Sequence, residues 1–270
     1  MLKFRTHIND QNKEWITFVH GFGGSSRIWY KQIRQLGQYY NLLLIDLRGH
    51  GMSKNIYLDS SCNLSDVCED IISVLKSLKI QKSHFIGISF GSLLILKLFD
   101  KHKKYIQKTV LAGAITTFTD LTRILLWCLN FLKYILPSHI LYKLFAHIIM
   151  PNSNHKESRL MFIKEAKKLD RKVFNQWFRL IPNLKRFILD LDPNKFNKPI
   201  LFISGQEDFL FSNEVNLFTL KNKYFSYCCI KGAGHVVNID KSNEFNKIVI
   251  EFLNFRNNTG DFELKGLLKS

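Results

Sequence analysis

A chain of 270 residues is long enough to bury a sizeable core as one domain, with or without an insertion. Its hydrophobic fraction of 46%, with only 14 Gly and 5 Pro, excludes the disordered and fibrous classes of protein. The five cysteines include adjacent Cys228 and Cys229, and their spacing suits neither a disulfide framework nor a zinc site. We therefore expect a reducing, cytoplasmic compartment, and the opening residues 1–5 lack the long apolar core of a signal peptide.

The chain is strongly basic, with a formal net charge of +17 at pH 7. Such a charge is compatible with nucleic acid, an anionic membrane surface or an acidic substrate. The lysines are scattered, however, and form no basic stripe interleaved with aromatic residues. We expect no nucleic-acid partner, and we attribute most of the charge to an overall bias toward Ile, Asn and Lys.

The first part of the chain alternates apolar strands with helices. Strands are predicted at residues 2–8, 15–19, 41–45 and 109–113, with another directly before Ser89. Helices are predicted at residues 29–39, at 65–78 with Ser65 as the N-cap, and from Phe90 onward. This alternation predicts an α/β fold with a mostly parallel central sheet, helices on both faces, and ligands bound at the carboxyl ends of the strands.

The alternation stops at Ala114, and residues 121–189 have a helical pattern throughout. Residues 124–136 are apolar on nearly every side, but thirteen residues are too few for a membrane span, which needs roughly 20. Strands and helices return at residues 199–204, 213–220, 224–230 and 243–255. We therefore predict a helical cap at residues 115–190, inserted into a core formed by residues 1–114 and 191–270.

The predicted cap also carries much of the charge, since residues 121–190 hold 13 basic and 4 acidic residues. We expect its apolar helix to pack on the sheet and line a pocket while the lysines face water. Weak contact with an anionic membrane surface is the alternative interpretation.

A glycine-flanked serine is the central motif of the sequence. In Gly87-Ile88-Ser89-Phe90-Gly91, the serine falls on a turn between a predicted strand and a predicted helix, where a strained backbone makes its hydroxyl accessible. The bare pattern is common by chance. The strand before it and the helix after it supply the context that the motif requires.

A nucleophilic serine needs a base, and the base needs an orienting carboxylate. His235 follows the last predicted strand in a glycine turn, and Asp208 follows the preceding strand in a matching turn. Each alone could be an ordinary turn or surface residue. Their joint occurrence with Ser89 at three strand ends, in the order Ser, Asp, His, favours a catalytic triad.

Taken together, these motifs resemble the α/β-hydrolase superfamily, in particular its capped, esterase-like serine hydrolases. The resemblance covers residues 15–256 and also includes the loops at residues 20–24 and 46–53. It implies that Ser89 is the nucleophile, His235 the general base and acid, and Asp208 its orienting carboxylate. It further implies an oxyanion hole formed by the backbone N–H groups of Phe22 and Phe90, with no cofactor and no metal.

Two residues depart from the common pattern of that superfamily, Ile88 before the serine and Ser92 after the second glycine. Neither removes a catalytic group. A serine nucleophile argues against the dehalogenase and epoxide hydrolase chemistry found on the same fold.

The residues thus predict a serine hydrolase that cleaves a small carboxylic ester or thioester with an apolar acyl group. The alternatives are a carbon–carbon bond hydrolase or lyase with the same triad, and a ligand receptor that retains a hydrolase fold. Other polar residues near the motifs are expected to be structural or solvated: His20 and the Asp46–Arg48 turn as braces, and Glu207, His139, His147 and His155 as solvent-facing groups.

Overall fold

Seven strands form one sheet in the computed structural model, which describes residues 1–10 and 12–255. Their order across the sheet is β1-β3-β2-β4-β5-β6-β7. The strands are β1 (Lys3–His7), β2 (Trp15–Val19), β3 (Asn41–Asp46), β4 (Ser83–Ile88), β5 (Ile106–Ala112), β6 (Ile200–Gly205) and β7 (Phe225–Ile230). All neighbouring pairs are parallel except β1 with β3, so the predicted mostly parallel sheet is confirmed.

Helices connect the strands and cover both faces of the sheet. They are α1 (Tyr30–Leu36), α2 (Leu64–Ser77), α3 (Phe90–Lys101), α4 (Asp120–Leu132), α5 (Ser138–Ile149), α6 (Lys156–Ala166), α7 (Arg171–Phe178), α8 (Ile181–Leu189), α9 (Ser212–Thr219), α10 (Val237–Asp240) and α11 (Ser242–Asn254). Every residue of β3, β4 and β6 is buried, which explains why these strands are continuous apolar runs rather than alternating ones.

The start of α2 differs by two residues from the prediction. Asn63, not Ser65, is the N-cap: its side chain accepts a hydrogen bond from the Ser65 N–H, and Asp66 reaches back to the Asn63 N–H. This reciprocal capping box leaves Ser65 inside the first turn.

Five helices, α4 to α8, lie between β5 and β6, in the stretch predicted as a cap. We refer to residues 115–190 as the helical segment. The predicted core on either side is described as far as residue 255, and residues 256–270 lie outside the described part of the chain.

Helix α4 in this segment is apolar on two opposite faces. Leu126 and Leu129 line an internal cavity, as the sequence led us to expect. The opposite face is exposed at Ile124, Trp127 and Phe131, which was not expected. Within the described residues, no helix combines the length and apolarity needed to cross a bilayer.

Candidate active site

Ser89 occupies the turn between β4 and α3, where the backbone adopts a φ of 52°. A serine in this left-handed region is strained and is held there only by its surroundings. The Ser89 N–H donates to the Ala112 carbonyl at 3.0 Å, and the Ser92 hydroxyl donates to the Ser89 carbonyl at 2.5 Å. The departure at Ser92 therefore fixes the turn through a hydrogen bond that glycine lacks.

The two glycines beside Ser89 are required by close packing. A Cβ on Gly87 would lie 2.5 Å from Ile95 Cδ1, and a Cβ on Gly91 would lie 2.3 Å from the Val19 carbonyl oxygen and 2.7 Å from that of His20. All three distances are far below van der Waals contact. Glycine at positions 87 and 91 therefore allows α3 to start directly against β2.

His235 and Asp208 meet at the carboxyl ends of β6 and β7. His235 Nδ1 and Asp208 Oδ2 are 2.8 Å apart, and both side chains are buried. With Nδ1 donating to the carboxylate, Nε2 is left free to accept a proton. The two turns that the sequence singled out therefore place an imidazole and a carboxylate in direct hydrogen bond.

Ser89 and His235 line the same cavity, which has a volume of about 150 Å³. Among the described residues Ser89 Oγ makes no hydrogen bond to His235, and such bonds often form fully only with substrate bound. The rest of the wall comes mainly from the helical segment, with further residues from α3 and from the loop that carries Phe22. As far as the described residues form it, this wall is almost wholly apolar and contains no Asp, Glu, Lys or Arg.

Phe22 and Phe90, the residues predicted to form an oxyanion hole, both line the cavity that contains Ser89. Phe90 is the first residue of α3, so its N–H has no acceptor within the helix. The Phe22 N–H likewise has no hydrogen bond among the described residues. Two free donors near a serine hydroxyl are the arrangement that stabilises an oxyanion.

Comparisons with known proteins agree with this fold. A family described as the alpha/beta hydrolase fold matches residues 14–134. The enol-lactonase from Burkholderia xenovorans LB400 superposes with a TM-score of 0.77 over 94% of this chain and 96% of that one, at 19% identity. The chain therefore has the α/β-hydrolase fold.

The curated relatives of this chain differ in their named substrates. A protein of Agrobacterium fabrum that carries the name carbamate hydrolase RutD is 24% identical over 90% of this chain and 94% of its own length. 3-Oxoadipate enol-lactonase 1 of Acinetobacter baylyi is 35% identical over 33% of this chain. The chain spans only 32% of the length of that enol-lactonase. The RutD protein of Yersinia enterocolitica is 29% identical over 43% of this chain, which spans 41% of its length.

His20 holds the loop that carries Phe22, in line with its predicted bracing role. Its ring is fully buried, and its Nε2 accepts from the Leu47 N–H at 3.0 Å. Its Nδ1 must then carry the proton and donate to the Gly21 carbonyl at 2.8 Å. Burial lowers the pKa of His20 to about 4, so the ring is neutral at pH 7.

His50 braces the same loop from the other side, and the sequence did not single it out. Its Nε2 accepts from the Gly23 N–H at 3.2 Å, and its Nδ1 donates to the Arg48 carbonyl at 2.9 Å. Burial lowers its pKa to about 3. The position of His50 between Gly49 and Gly51, after a strand, could have indicated a structural role, because such a turn favours a buried histidine over a surface one.

The Asp46–Arg48 turn braces the structure as predicted. Asp46 accepts hydrogen bonds from the Ser26 N–H at 2.6 Å and the Met52 N–H at 2.9 Å. Arg48 forms a two-point ion pair with Asp70, at 2.5 and 2.8 Å. Neither side chain lines the cavity that contains Ser89.

The prediction that His155 faces solvent was wrong, and Glu207, whose side chain is 28% exposed, faces the helical segment as well as solvent. Glu207 accepts from the side-chain amides of Asn152 and Asn154, which lower its pKa, and its Oε2 lies 2.9 Å from His155 Nε2. The His155 ring is fully buried against Gly234, where a Cβ would lie 2.6 Å from the ring. These contacts tie the helical segment to the residues that directly precede Asp208 and His235.

The remaining histidines predicted to be solvated, His139 and His147, are exposed. No cluster of three or more metal-binding side chains occurs in the described part of the chain. Cys228 and Cys229 lie on β7, and all five cysteines are free.

Proposed function

We propose that this α/β-hydrolase is a serine hydrolase that cleaves a small, uncharged carboxylic ester or thioester with an apolar acyl group. The observation that carries the proposal is the shared cavity, in which Ser89 and the Asp208-bound His235 lie at one end of a wall without charged side chains. A substrate carboxylate buried there would lose its hydration with no cation to replace it.

In the proposed reaction Ser89 Oγ attacks the acyl carbon while His235 Nε2 takes the serine proton. Asp208 holds the imidazole in the tautomer that leaves Nε2 free and stabilises the imidazolium. The N–H groups of Phe22 and Phe90 stabilise the negative charge that develops on the carbonyl oxygen. His235 then returns the proton to the departing alcohol or thiol, and water hydrolyses the acyl-enzyme by the same steps.

We propose that the helical segment, residues 115–190, acts as a cap that selects the acyl group. Leu126, Leu129, Tyr142 and Phe174 come from this segment and line the cavity. A volume of about 150 Å³ is the size of an engineered cavity that accepts benzene, which favours acyl groups of roughly six carbon atoms or fewer.

The relatives are compatible with this chemistry, since a lactone is a cyclic ester and a carbamate carbonyl is attacked in the same way. The enol-lactonase name implies an acidic substrate, however, and the uncharged cavity wall of this chain favours neutral ones. We also propose a cytoplasmic location, in keeping with five free cysteines that include an adjacent pair.

Turnover of p-nitrophenyl esters tests the proposal. We expect multiple turnovers on acetate to hexanoate esters, with kcat/KM falling for longer chains. A matched pair separates charge from size: the p-nitrophenyl valerate ester should be cleaved at least about 100-fold faster than the monoester of glutarate, because the latter buries a carboxylate.

Two results would contradict the proposal. Faster cleavage of the glutarate monoester would show that the substrate is acidic. Labelling by a fluorophosphonate without turnover of any ester would favour a carbon–carbon bond hydrolase or a ligand receptor with the same three residues.

A further inference from the structure

One surface of the helical segment exposes large apolar side chains instead of burying them. On α4 and the turn that follows it, the exposed fractions reach 58% at Ile124, 69% at Trp127, 58% at Phe131, 73% at Tyr134 and 62% at Ile135. We call these five residues the exposed apolar face. Trp127 and Phe131 stack on each other, with ring centroids 6.4 Å apart.

The spacing of these residues shows that they form a continuous stripe. Ile124, Trp127 and Phe131 recur at intervals of three and four residues, which places them on one side of α4. The opposite side already packs inward through Leu126 and Leu129. A helix that is apolar all round is normally enclosed by protein or lipid, so the exposed apolar face lacks a partner in the described chain.

Basic residues border this face. Arg123 lies on α4 itself, where it pairs with Asp120 at 3.2 Å. Lys133 Nζ lies 5.0 Å from the centre of the Tyr134 ring, and the Arg171 guanidinium donates to the Lys133 carbonyl. The nearby acidic residues are Asp120 and Asp170, so the three basic groups leave the rim net positive.

We propose that the exposed apolar face docks on an anionic lipid surface. Tryptophan, tyrosine and phenylalanine beside basic residues are the composition of helices that lie in the headgroup region of a membrane. A second copy of this chain fits less well. In a twofold dimer the same patch meets itself, which would bring the basic rims together.

This docking would bring the wall of the cavity to the membrane surface, because α4 contributes to both. An apolar substrate dissolved in lipid would then have a short path to the helical segment. The proposal itself concerns binding alone and does not depend on the proposed hydrolysis.

Co-sedimentation with phosphatidylcholine vesicles, with and without phosphatidylserine, tests the docking. We expect binding to the phosphatidylserine vesicles at low salt and release at high salt, because the attraction of the basic rim is screened. The double variant Trp127→Ser/Phe131→Ser should lower the partition coefficient at least about 10-fold. The variant Lys133→Gln/Arg171→Gln should lower it by roughly fivefold per charge removed.

A matched control uses Ile8 after β1 and Tyr39 before β3, which are 61% and 51% exposed and lie at the edge of the sheet opposite the helical segment. Ile8→Ser/Tyr39→Ser should leave vesicle binding unchanged. Cleavage of p-nitrophenyl acetate should be unchanged in all three variants, since none of these side chains lines the cavity.

Tryptophan fluorescence gives a second readout that does not depend on a loss-of-binding variant. Trp29 and Trp177 are buried and Trp15 is half-buried, so a blue shift on vesicle binding should come from Trp127. The shift should vanish in Trp127→Phe although this variant still binds.

Three outcomes would overturn the proposal: absence from the pellet with phosphatidylserine vesicles at low salt, equal loss of binding in Ile8→Ser/Tyr39→Ser, or a dimer in solution that Trp127→Ser/Phe131→Ser dissociates. The last would assign the face to a second copy.

Discussion

The loops at the carboxyl edge of the sheet and the helical segment that covers them are built in different ways. In the loops, close packing and hydrogen bonds account for nearly every residue: Gly91 leaves no room for a Cβ, and both ring nitrogens of His50 are bonded. In the helical segment, apolar residues are in excess: Trp127 remains exposed, and the buried Tyr142 hydroxyl has no hydrogen-bond partner within residues 1–10 and 12–255. The first region tolerates little change, and the second leaves scope for different partners and substrates.

Among changes at the carboxyl edge of the sheet, removal of the Ser89 hydroxyl should have the largest effect on activity. Ser89→Ala should lower kcat/KM by at least about 10⁴-fold, because the proposed covalent step is lost. The fold should persist, since the bonds that hold the turn come from the Ser89 backbone. Circular dichroism checks the fold and fluorophosphonate labelling checks the site. A variant that still labels would rule out Ser89 as the nucleophile.

Changing the carboxylate should have the next largest effect. Asp208→Asn keeps the shape but favours the wrong imidazole tautomer, so we expect kcat to fall about 10³- to 10⁴-fold with little change in KM. Glu207→Gln is the matched control, because Glu207 contacts the helical segment and not His235. Steady-state kinetics on the same ester compares them. A larger loss in Glu207→Gln would reverse the assignment.

Acid should destabilise the fold through the two buried histidines. The pKa values of His20 and His50 are lowered to about 4 and about 3, so the unfolded chain binds their protons first as the pH falls below 6.5. The contribution of the two rings to the free energy of unfolding is therefore complete above pH 6.5. It falls toward pH 4 by about 1.4 kcal/mol per pH unit for each ring. Between pH 7 and 5 the loss should total about 4 kcal/mol.

Urea denaturation across this pH range measures the effect. His50→Gln should reduce the pH dependence by about half, since glutamine can still accept from the Gly23 N–H but does not titrate. His139→Gln, at an exposed position, should leave the dependence unchanged. Equal stability at pH 7 and pH 5 would show that neither ring is held neutral.

Adding one methyl group should lower the free energy of unfolding by different amounts at two glycines near the carboxyl edge of the sheet. Gly91→Ala places a Cβ 2.3 Å from the Val19 carbonyl and should lower the free energy of unfolding by about 2–3 kcal/mol. Gly24→Ala is the control, with its nearest contact at 3.2 Å, and should cost less than about 1 kcal/mol. Thermal melts of the two variants check this, and equal melting temperatures would mean that α3 can move away from β2.

The sequence predicted the edge of the sheet better than the helical segment, for a physical reason. Ser89, Asp208 and His235 follow strands, and the fold brings the ends of parallel strands together, so local patterns predicted their neighbourhood. His155 is buried through contacts with Glu207 and Gly234, which are 52 and 79 positions away. No local pattern reports such a contact.

The exposed face of α4 was missed for a related reason. The periodicity of Ile124, Trp127 and Phe131 is helical, but the sequence alone does not show which of two apolar faces packs inward. The same limit applies to Asn63, which displaced Ser65 as N-cap because Asp66 completes its capping box.

The smallest expected effect concerns the Tyr142 hydroxyl, a buried polar group of the helical segment. The Tyr142 hydroxyl is buried, has no hydrogen bond among the described residues, and has its pKa raised by burial. Tyr142→Phe removes this unsatisfied group and should raise the free energy of unfolding by about 1 kcal/mol. Tyr40→Phe is the matched control, because the Tyr40 hydroxyl donates to Asn254 Oδ1 at 2.8 Å, and its loss should cost about 1 kcal/mol. Urea denaturation should thus give opposite signs for the same chemical change. If Tyr142→Phe is destabilised as much as Tyr40→Phe, the Tyr142 hydroxyl is bonded in solution and the helical segment is as well satisfied as the loops beneath it.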